Sequence, residues 1–235
     1  HAASRGAEAG GKIVAIPKTI DNDVEGTDLS IGFHTAVNIA TEALDRVHTT
    51  AESHNRVMVV EVMGRHAGWI AVNAGIAGGA EVVLAPEQPF DIDQVVKFLR
   101  HRHRAHANFS IVVVAEGAVP REGSSMEFTQ QLGRFGEIVA GSIGERVSAE
   151  IAERTGFDTR LTVLGHVQRG GEPTPTDRIL GSRFGVAAVD AVSAGTSGVM
   201  TALRGERVEL VPLAEVAGRP KRVPEELLRV ARVLA

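Results

Sequence analysis

The chain has 235 residues, of which 43% are hydrophobic and 23% are charged, a composition typical of globular proteins. This length is enough to bury a sizeable core in one or two domains. The formal net charge of -4 gives no reason to expect nucleic acid or a membrane surface as a partner. No apolar run approaches the roughly 18 residues of a membrane-spanning helix. The absence of cysteine excludes disulfides and thiolate metal sites and is compatible with the cytoplasm, where we expect the protein.

The first distinctive feature is a short apolar run followed by a polar turn. Residues 12–16 predict a buried parallel strand, and residues 17–23 then supply a cation, a hydroxyl, an amide and two carboxylates. Helical spacing of apolar residues predicts a helix over 33–48, with a polar loop up to residue 55. Open α/β sheets bind ligands at the carboxyl ends of their strands, so the turn is a candidate active site. The alternative is a capped turn whose Asp and Asn residues make only local hydrogen bonds.

Strands and helices alternate along the rest of the chain. Strands are predicted at 57–62, 81–85, 109–115 and 160–164, and helices at 69–77, 91–103, 137–155 and 175–194, with Asp91 as an N-cap. Two short strands and a helix from Pro224 complete the chain. This alternation predicts an α/β fold with parallel sheets. The chain begins at His1 and has no Gly-rich phosphate turn after its first strand, so we expect the N-terminal part of the parent protein to be absent.

Three segments resemble, in the same order, the motifs of the phosphofructokinase family. They are residues 17–23 (PKTIDND), 61–65 (EVMGR) and 164–171 (LGHVQRGG), within a similarity that runs from about residue 11 to 195. The chain is therefore identified as a member of this family, similar to the bacterial 6-phosphofructokinases that use ATP, pyrophosphate or, in a mixed group, either donor. An unrelated nucleotide-binding protein would need a Gly-rich dinucleotide turn, which we do not find in the sequence.

The resemblance implies two Rossmann-like lobes with parallel-type sheets, which face each other across the active site. We expect the nucleotide-binding lobe to be incomplete in this chain. Residues 1–32 and 168–218 would be the remnant of this donor-binding lobe. Residues 33–167 and 219–235 would form the sugar-phosphate-binding lobe.

The resemblance also implies a role for each candidate site residue. Asp21 would accept the proton from the 1-hydroxyl of fructose 6-phosphate, Asp23 would orient the substrate or donor, and Thr19 would contact the transferred phosphoryl group. The sugar and the transition state would be contacted by Met63, Gly64, Arg65 and Glu116. His166 and Arg169 would bind the 6-phosphate within one subunit, whereas Arg56 and Arg160 would reach it from a neighbouring subunit. Taken alone, Glu116 would be better interpreted as a helix cap and His166 as a core histidine.

The implied reaction is phosphoryl transfer from ATP, with Mg2+ as cofactor, in a homo-oligomer that is a dimer or a tetramer. We assign no metal ligand within the chain. Lys18 stands where strictly ATP-using members carry glycine; lysine occurs there in pyrophosphate-dependent members and in the mixed group. The alternatives are therefore a pyrophosphate-dependent phosphotransferase and a catalytically incomplete fragment or scaffold subunit. We expect residues 1–235 alone to be inactive.

Overall fold

The computed structural model describes residues 2–8, 10–105, 108–126, 131–132, 138–140, 142–216, 218 and 220–233. In chain order the strands are β1 (Val14–Ala15), β2 (Val57–Val62), β3 (Val82–Leu84), β4 (Ser110–Ala115), β5 (Gln131–Leu132), β6 (Ile138–Ala140), β7 (Thr159–Val163), β8 (Val199–Arg204) and β9 (Arg207–Pro212). The helices are α1 (Ala2–Glu8), α2 (Phe33–His54), α3 (Trp69–Ala77), α4 (Ile92–Arg104), α5 (Ile143–Thr155), α6 (Pro175–Ser193), α7 (Leu213–Val216) and α8 (Glu225–Val233). A 3-10 turn spans Gly165–Arg169.

The chain divides into two compact units. The first unit contains residues 1–36 and 171–221, and the second contains residues 37–170 and 222–235. The α/β class predicted from the alternation of strands and helices is therefore present in both units, because each unit has its own sheet and its own apolar core.

The first unit is built on a three-stranded sheet in the order β1-β8-β9. β1 and β8 are parallel, as in the parallel-type sheets predicted, whereas β8 and β9 are antiparallel. The exception has a local cause, since only Gly205 and Glu206 separate the two strands and so short a connection permits antiparallel pairing alone. Helix α6 buries Leu180 and Phe184 in the core of this unit.

The second unit is built on a four-stranded parallel sheet in the order β3-β4-β2-β7. Every residue of β2 and β4 is buried, which explains why both strands are apolar in the sequence apart from Glu61 and Ser110. Helices α4 and α5 contribute to one core cluster on the sheet, and α3 and α8 contribute to another. The carboxyl ends of β4, β2 and β7 therefore lie side by side at one edge of a rigid, covered sheet.

Two helix boundaries differ from those predicted. Helix α2 continues through the polar residues to His54, because Ala51 is buried and the hydroxyls of Thr49 and Ser53 donate to carbonyl groups of the helix itself. Helix α5 begins at Ile143 rather than near 137, because Ser142 caps it and β6 precedes it. Residues 133–137 and 141, which belong to the predicted helix or adjoin it, lie outside the described residues.

One helix had not been predicted. Residues 2–8, which the sequence suggested were only a lead-in to the first strand, form α1. Within the part of the chain that the structure describes, no helix combines the length and apolar character required to span a membrane.

Candidate active site

The polar turn after β1 is held in place by a second segment of the first unit. The N–H of Ile31 donates to the carbonyl of Pro17 at 3.0 Å, and Lys18 forms a parallel bridge with Ile31. Lys18 itself is exposed, whereas Asp21 and Asp23 are half-buried. The turn therefore presents one exposed cation next to two carboxylates that are partly shielded from water.

Asn22 organises this turn. It is 1% exposed and has a φ of 51°, in the left-handed region that Asn tolerates better than most residues. Its Oδ1 accepts the N–H of Ser30 at 3.0 Å, and its Nδ2 donates to the carbonyl of Asp28 at 3.2 Å. The Ser30 hydroxyl donates to the carbonyl of Thr19 at 2.7 Å. The backbone on both sides of Asn22, where the two aspartates lie, is consequently fixed by buried hydrogen bonds.

Thr19 adds a local hydrogen bond to the same turn. Its Oγ1 accepts the N–H of Asp21 at 3.2 Å, so its hydroxyl already helps to shape the backbone. Thr19 and Asn22 thus both contribute hydrogen bonds that shape the turn, which is the kind of role that the capped-turn interpretation gave to the Asn. The carboxylates of Asp21 and Asp23 are suited to accept protons or to bind cations.

Lys221 forms hydrogen bonds with backbone carbonyl groups at the end of the polar turn and just after it. Its N–H donates to the carbonyl of Asp23 at 2.8 Å, and its Nζ donates to the carbonyls of Thr27 and Asp28 at 2.7 Å each. Burial lowers the pKa of the Lys221 ammonium from 10.5 to about 8, although the charges of Asp28, Glu25 and Asp23 act in the opposite direction. The turn therefore lies next to a lysine that loses its positive charge as the pH rises through about 8.

In the second unit, three candidate segments lie at the carboxyl ends of adjacent strands. Residues 63–65 follow β2, Glu116 follows β4, and the 3-10 turn Gly165–Arg169 follows β7. Glu116 is half-buried and its N–H donates to the carbonyl of Val62 at 2.9 Å, which ties the ends of β4 and β2 together. Parallel strand pairing therefore brings the predicted sugar-binding segments to one edge of the sheet.

Two glycines allow the segment after β2 to lie close to its neighbours. Gly64 has a φ of 137°, and a Cβ at this position would lie 2.8 Å from the carbonyl oxygen of Ala67. A Cβ on Gly117 would lie only 2.0 Å from the carbonyl oxygen of Arg65. The N–H of Gly117 donates to the carbonyl of Gly64 at 3.1 Å. The backbone of Arg65 thus packs against a glycine that the sequence analysis had not singled out.

The remaining two predicted site residues lie at the other end of the same sheet. Arg56 immediately precedes β2, and Arg160 pairs with Met58 near the start of β7. The structure therefore does not bring them together with His166 and Arg169, which are exposed on the turn after β7. The two sets of cations lie at opposite ends of the strands.

Asp158 binds both arginines. Its Oδ2 accepts a hydrogen bond from Arg56 Nε at 2.5 Å, and its Oδ1 lies 3.1 Å from Arg160 Nη2. The hydrogen bond from Arg56 lowers the pKa of the Asp158 carboxyl below its ordinary value, and the charges of Arg160 and Arg56 act in the same direction. The two guanidinium groups are therefore oriented by one carboxylate.

Asn22, Ser30, Gly117, Asp158 and Lys221 are the residues of these sites that sequence reasoning missed. A signal existed for two of them, since Asn22 lies inside the first motif and Asp158 is two residues before Arg160. For the others the relevant contacts join distant parts of the chain, and no local pattern indicates them. Among the described residues, no group of three or more Asp, Glu or His side chains could hold a metal ion.

Comparison with known families gives a clear assignment. A family model described as Phosphofructokinase matches residues 2–192. The chain belongs to the phosphofructokinase family, as its three motifs predicted.

Similar proteins in this family carry two different names. The chain is 54% identical over 222 residues to a pyrophosphate–fructose 6-phosphate 1-phosphotransferase of Amycolatopsis methanolica. This alignment covers 94% of this chain and 64% of that protein. It is 50% identical over 220 residues to an ATP-dependent 6-phosphofructokinase of Corynebacterium efficiens, with the same two coverages of 94% and 64%. The chain thus spans a little less than two thirds of the length of these relatives.

Solved structures confirm the fold. The pyrophosphate-dependent phosphofructokinase of Marinobacter aquaeolei superposes with a TM-score of 0.77 at 25% identity, over 95% of this chain and 57% of that one. Phosphofructokinase from Pichia pastoris superposes with a TM-score of 0.74 at 34% identity, over 94% of this chain and 23% of that one. The predicted α/β class is therefore correct.

Proposed function

We propose that this chain is part of a 6-phosphofructokinase, which transfers a phosphoryl group to the 1-hydroxyl of fructose 6-phosphate. The observation that carries the proposal is the meeting of two motif segments and Glu116 at one edge of the second unit's sheet: the motif segments are residues 63–65 and the turn Gly165–Arg169. This unit would be the sugar-phosphate lobe, and the first unit would be the part of the donor-binding lobe that is present in this chain.

The 6-phosphate would bind to the turn after β7. His166 and Arg169 are both exposed there, and a guanidinium fork beside an imidazole that can donate a hydrogen bond suits a phosphate group. Arg65 and Glu116 would contact the sugar, with the arginine close to the transferred group and the carboxylate accepting hydrogen bonds from hydroxyls. Met63 and Gly64 would line the same pocket through their backbone and apolar surface.

Asp21 would act as the general base. A carboxylate held near the attacking hydroxyl accepts its proton as the new phosphate ester forms, and orientation provides most of the rate gain in such reactions. Asp23 would orient the substrate or the donor. The hydroxyl of Thr19 would lie close to the transferred phosphoryl group, in addition to its bond with the Asp21 N–H.

Mg2+ is the cofactor we expect. It usually keeps several waters and binds through one or two carboxylates together with substrate phosphates, so the half-buried Asp23, which we do not assign to proton transfer, fits the protein's share of such a site. When bound, the ion neutralises negative charge on the phosphates.

ATP is the donor in the leading form of the proposal. Pyrophosphate is a second candidate, favoured by Lys18 and by the name of the relative from Amycolatopsis methanolica. An exposed lysine beside Thr19 could fill the space and supply the charge otherwise used by an inner nucleotide phosphate. Turnover of fructose 6-phosphate by the full-length gene product, measured with ATP and with pyrophosphate, decides between the two.

The complete site would need a neighbouring subunit. Arg56 and Arg160 lie too far from the turn after β7 to bind the same phosphate, since the strands between the two ends are five to six residues, or roughly 16–20 Å, long. We therefore propose a homo-oligomer, a dimer or a tetramer, in which these arginines act across an interface. The cytoplasmic location expected from the sequence remains a prediction.

The decisive experiment separates an enzyme from a scaffold that only binds sugar phosphate. In the full-length gene product, Asp21→Asn should lower kcat by about 100-fold or more, while the KM for fructose 6-phosphate changes little. Glu25→Gln removes a carboxylate from the same segment and should leave both constants unchanged. A kcat for Asp21→Asn within tenfold of the wild-type value would remove Asp21 as the base. Absence of turnover in the wild type would favour the scaffold.

A further inference from the structure

Gln168 differs from the other residues of the turn after β7. It is 1% exposed, whereas His166, Val167 and Arg169 are exposed to solvent. A buried amide carries donors and acceptors that must find partners, because leaving them unpaired is costly. The side chain of Gln168 is thus the part of this turn that anchors it to the protein.

Both ends of the Gln168 amide are hydrogen-bonded. Its Oε1 accepts the N–H of Met63 at 3.3 Å, and its Nε2 donates to the carbonyl of Gly165 at 3.1 Å. One end therefore contacts the segment after β2, and the other end closes the turn on itself. The sequence separation between Gln168 and Met63 is 105 residues, so the contact depends on the tertiary fold.

The geometry of the turn determines where the side chains of His166 and Arg169 point. In a 3-10 helix there are about three residues per turn, so side chains three residues apart lie on the same face. His166 and Arg169 are three residues apart and therefore share the outer face. Gln168 points inward at a different angle. Its amide fixes the rotation of the turn, and this rotation sets the direction of both outer side chains.

A backbone contact fixes the start of the turn. The N–H of Leu164 donates to the carbonyl of Glu61 at 3.0 Å. The Glu61 carboxylate is itself held at the start of α5, where it accepts hydrogen bonds from the Ser142 hydroxyl and, at 2.7 Å, from the Gly144 N–H. The start of the turn is thus fixed by a backbone hydrogen bond, and the side chain of Gln168 fixes the end that carries Arg169.

We propose that Gln168 is a positioning residue for sugar-phosphate binding, which holds the phosphate-binding turn in register with residues 63–65. This inference rests on the proposed function of the two segments. Gln168 acts through other residues and does not contact the substrate. Its loss would leave all the binding groups present, but their distance and orientation relative to each other would no longer be fixed.

The test uses Gln168→Met in the full-length gene product, because methionine has a similar volume and cannot make either hydrogen bond. The KM for fructose 6-phosphate should rise about tenfold, while the KM for the donor should be unchanged. The fold decrease in kcat should be smaller than the fold increase in this KM. The matched control is Thr155→Val, which removes a half-buried hydroxyl that makes two hydrogen bonds. Thr155 is the last residue of α5 and lies at the end of the helix opposite to the one that binds the Glu61 carboxylate. It should lower thermal stability without changing the KM for the sugar phosphate.

A double-mutant cycle distinguishes positioning from a general loss of stability. In an Arg169→Ala background, Gln168→Met should raise the KM less than threefold further, because one of the groups it orients is already gone. Additive effects in this cycle, or a KM for Gln168→Met equal to that of Thr155→Val, would overturn the proposal. If Gln168→Met does not fold, Gln168→Asn replaces it, since its shorter amide cannot reach both partners and should raise the KM in the same way.

The proposed function is tested separately by the wild type. Failure of the wild type to bind or convert fructose 6-phosphate would refute the proposed function and the role of Gln168 together. A wild type that converts fructose 6-phosphate, beside a Gln168→Met variant with an unchanged KM, would refute the positioning role alone.

Discussion

Arg56 donates a hydrogen bond of 2.5 Å to Asp158, and the two residues immediately precede the paired strands β2 and β7. The same carboxylate lies 3.1 Å from Arg160. Two cations that we propose to act on a neighbouring subunit's substrate are thus oriented by one anion. Because the hydrogen bond from Arg56 lowers its pKa, Asp158 stays ionised further into the acidic range than an ordinary aspartate.

Replacing Asp158 with Asn should therefore affect binding more than stability. The folded state should lose little, because exposed ion pairs contribute little to stability. The KM for fructose 6-phosphate should rise severalfold in the oligomer, because both guanidinium groups lose their fixed orientation. Asp93→Asn, which breaks the comparable 2.5 Å ion pair with Arg154, serves as the control and should leave the KM unchanged. A KM for Asp158→Asn equal to that of the control would contradict this prediction.

Lys221 should give the stability a measurable dependence on alkaline pH. Its pKa is about 8 in the folded state and about 10.5 when the chain is unfolded, so between these values the unfolded state binds more protons. The unfolding free energy of the wild type, relative to that of Lys221→Met, should be flat below pH 8 and should rise as the pH increases towards 10.5. We expect a gain of about 1 kcal/mol by pH 10, a value reduced for the part exposure of the group.

Urea unfolding of both proteins at intervals between pH 7 and 10 measures this difference. Because the two proteins share every other ionisable group, the remaining pH effects cancel. A difference that stays constant or falls with increasing pH would show that burial does not depress the pKa of Lys221.

Gly117 should tolerate no side chain. A Cβ would lie 2.0 Å from the carbonyl oxygen of Arg65, so Gly117→Ala must displace the backbone that carries the Arg65 guanidinium. We expect a loss of about 1–3 kcal/mol in unfolding free energy from overpacking and a fall in kcat of about 100-fold from misplacement. The measurements are denaturant unfolding and steady-state kinetics of the full-length gene product.

Gly185→Ala is the matched control for this variant. Gly185 lies within α6, and no atom outside its local backbone comes within 4 Å of the added Cβ. Alanine there should stabilise the protein by up to about 1 kcal/mol through its higher helix propensity. If Gly117→Ala kept full activity, the close approach to Arg65 would be irrelevant to catalysis.

Two substitutions at Asn22 separate its hydrogen bonds from its backbone conformation. Asn22→Gly keeps access to a φ of 51° but loses the bonds to Ser30 and Asp28, and should lower the unfolding free energy by about 1–3 kcal/mol. Asn22→Ala adds left-handed strain and should lower it by about 1 kcal/mol more. In both variants kcat should fall, because the aspartates on either side lose their fixed orientation.

An exposed asparagine provides the reference for these variants. Asn38 donates to Glu42 at 2.7 Å on the surface of α2, and Asn38→Ala should change stability by less than about 0.5 kcal/mol. Equal effects at Asn22 and Asn38, whether on stability or on kcat, would mean that the buried bonds of Asn22 do not organise the turn.

Elements whose cause is local were predictable from the sequence. β2 and β4 are buried from end to end, so their apolar runs predicted both strands closely, and the Asp91 cap predicted the start of α4. The end of α2 was not predictable, because it depends on the burial of Ala51 against the rest of the unit. The start of α5 was missed because the Ser142 cap follows a short strand that lies within the predicted helix.

The motifs identified the candidate site residues but not the residues that hold them. Asp21 and Arg169 stand out because their charges lie in recognisable patterns beside glycines and strands. Gln168 acts through a partner 105 residues away, and Ser30 through one 8 residues away across an irregular segment. Such contacts arise from tertiary packing and have no periodicity or composition that a single sequence would show.

Strand β7 has a charged group near each of its ends, since Arg160 lies near its start and Arg169 lies on the turn that follows it. Its five residues span roughly 16 Å, and each of them is paired with a residue of β2. The spacing between the two cation sets is therefore a property of a hydrogen-bonded strand and not of a loop. Adding or removing a residue in β7 would change this spacing by about 3 Å and reverse the side-chain alternation, so evolution can alter the flanking turns far more freely than the strand itself.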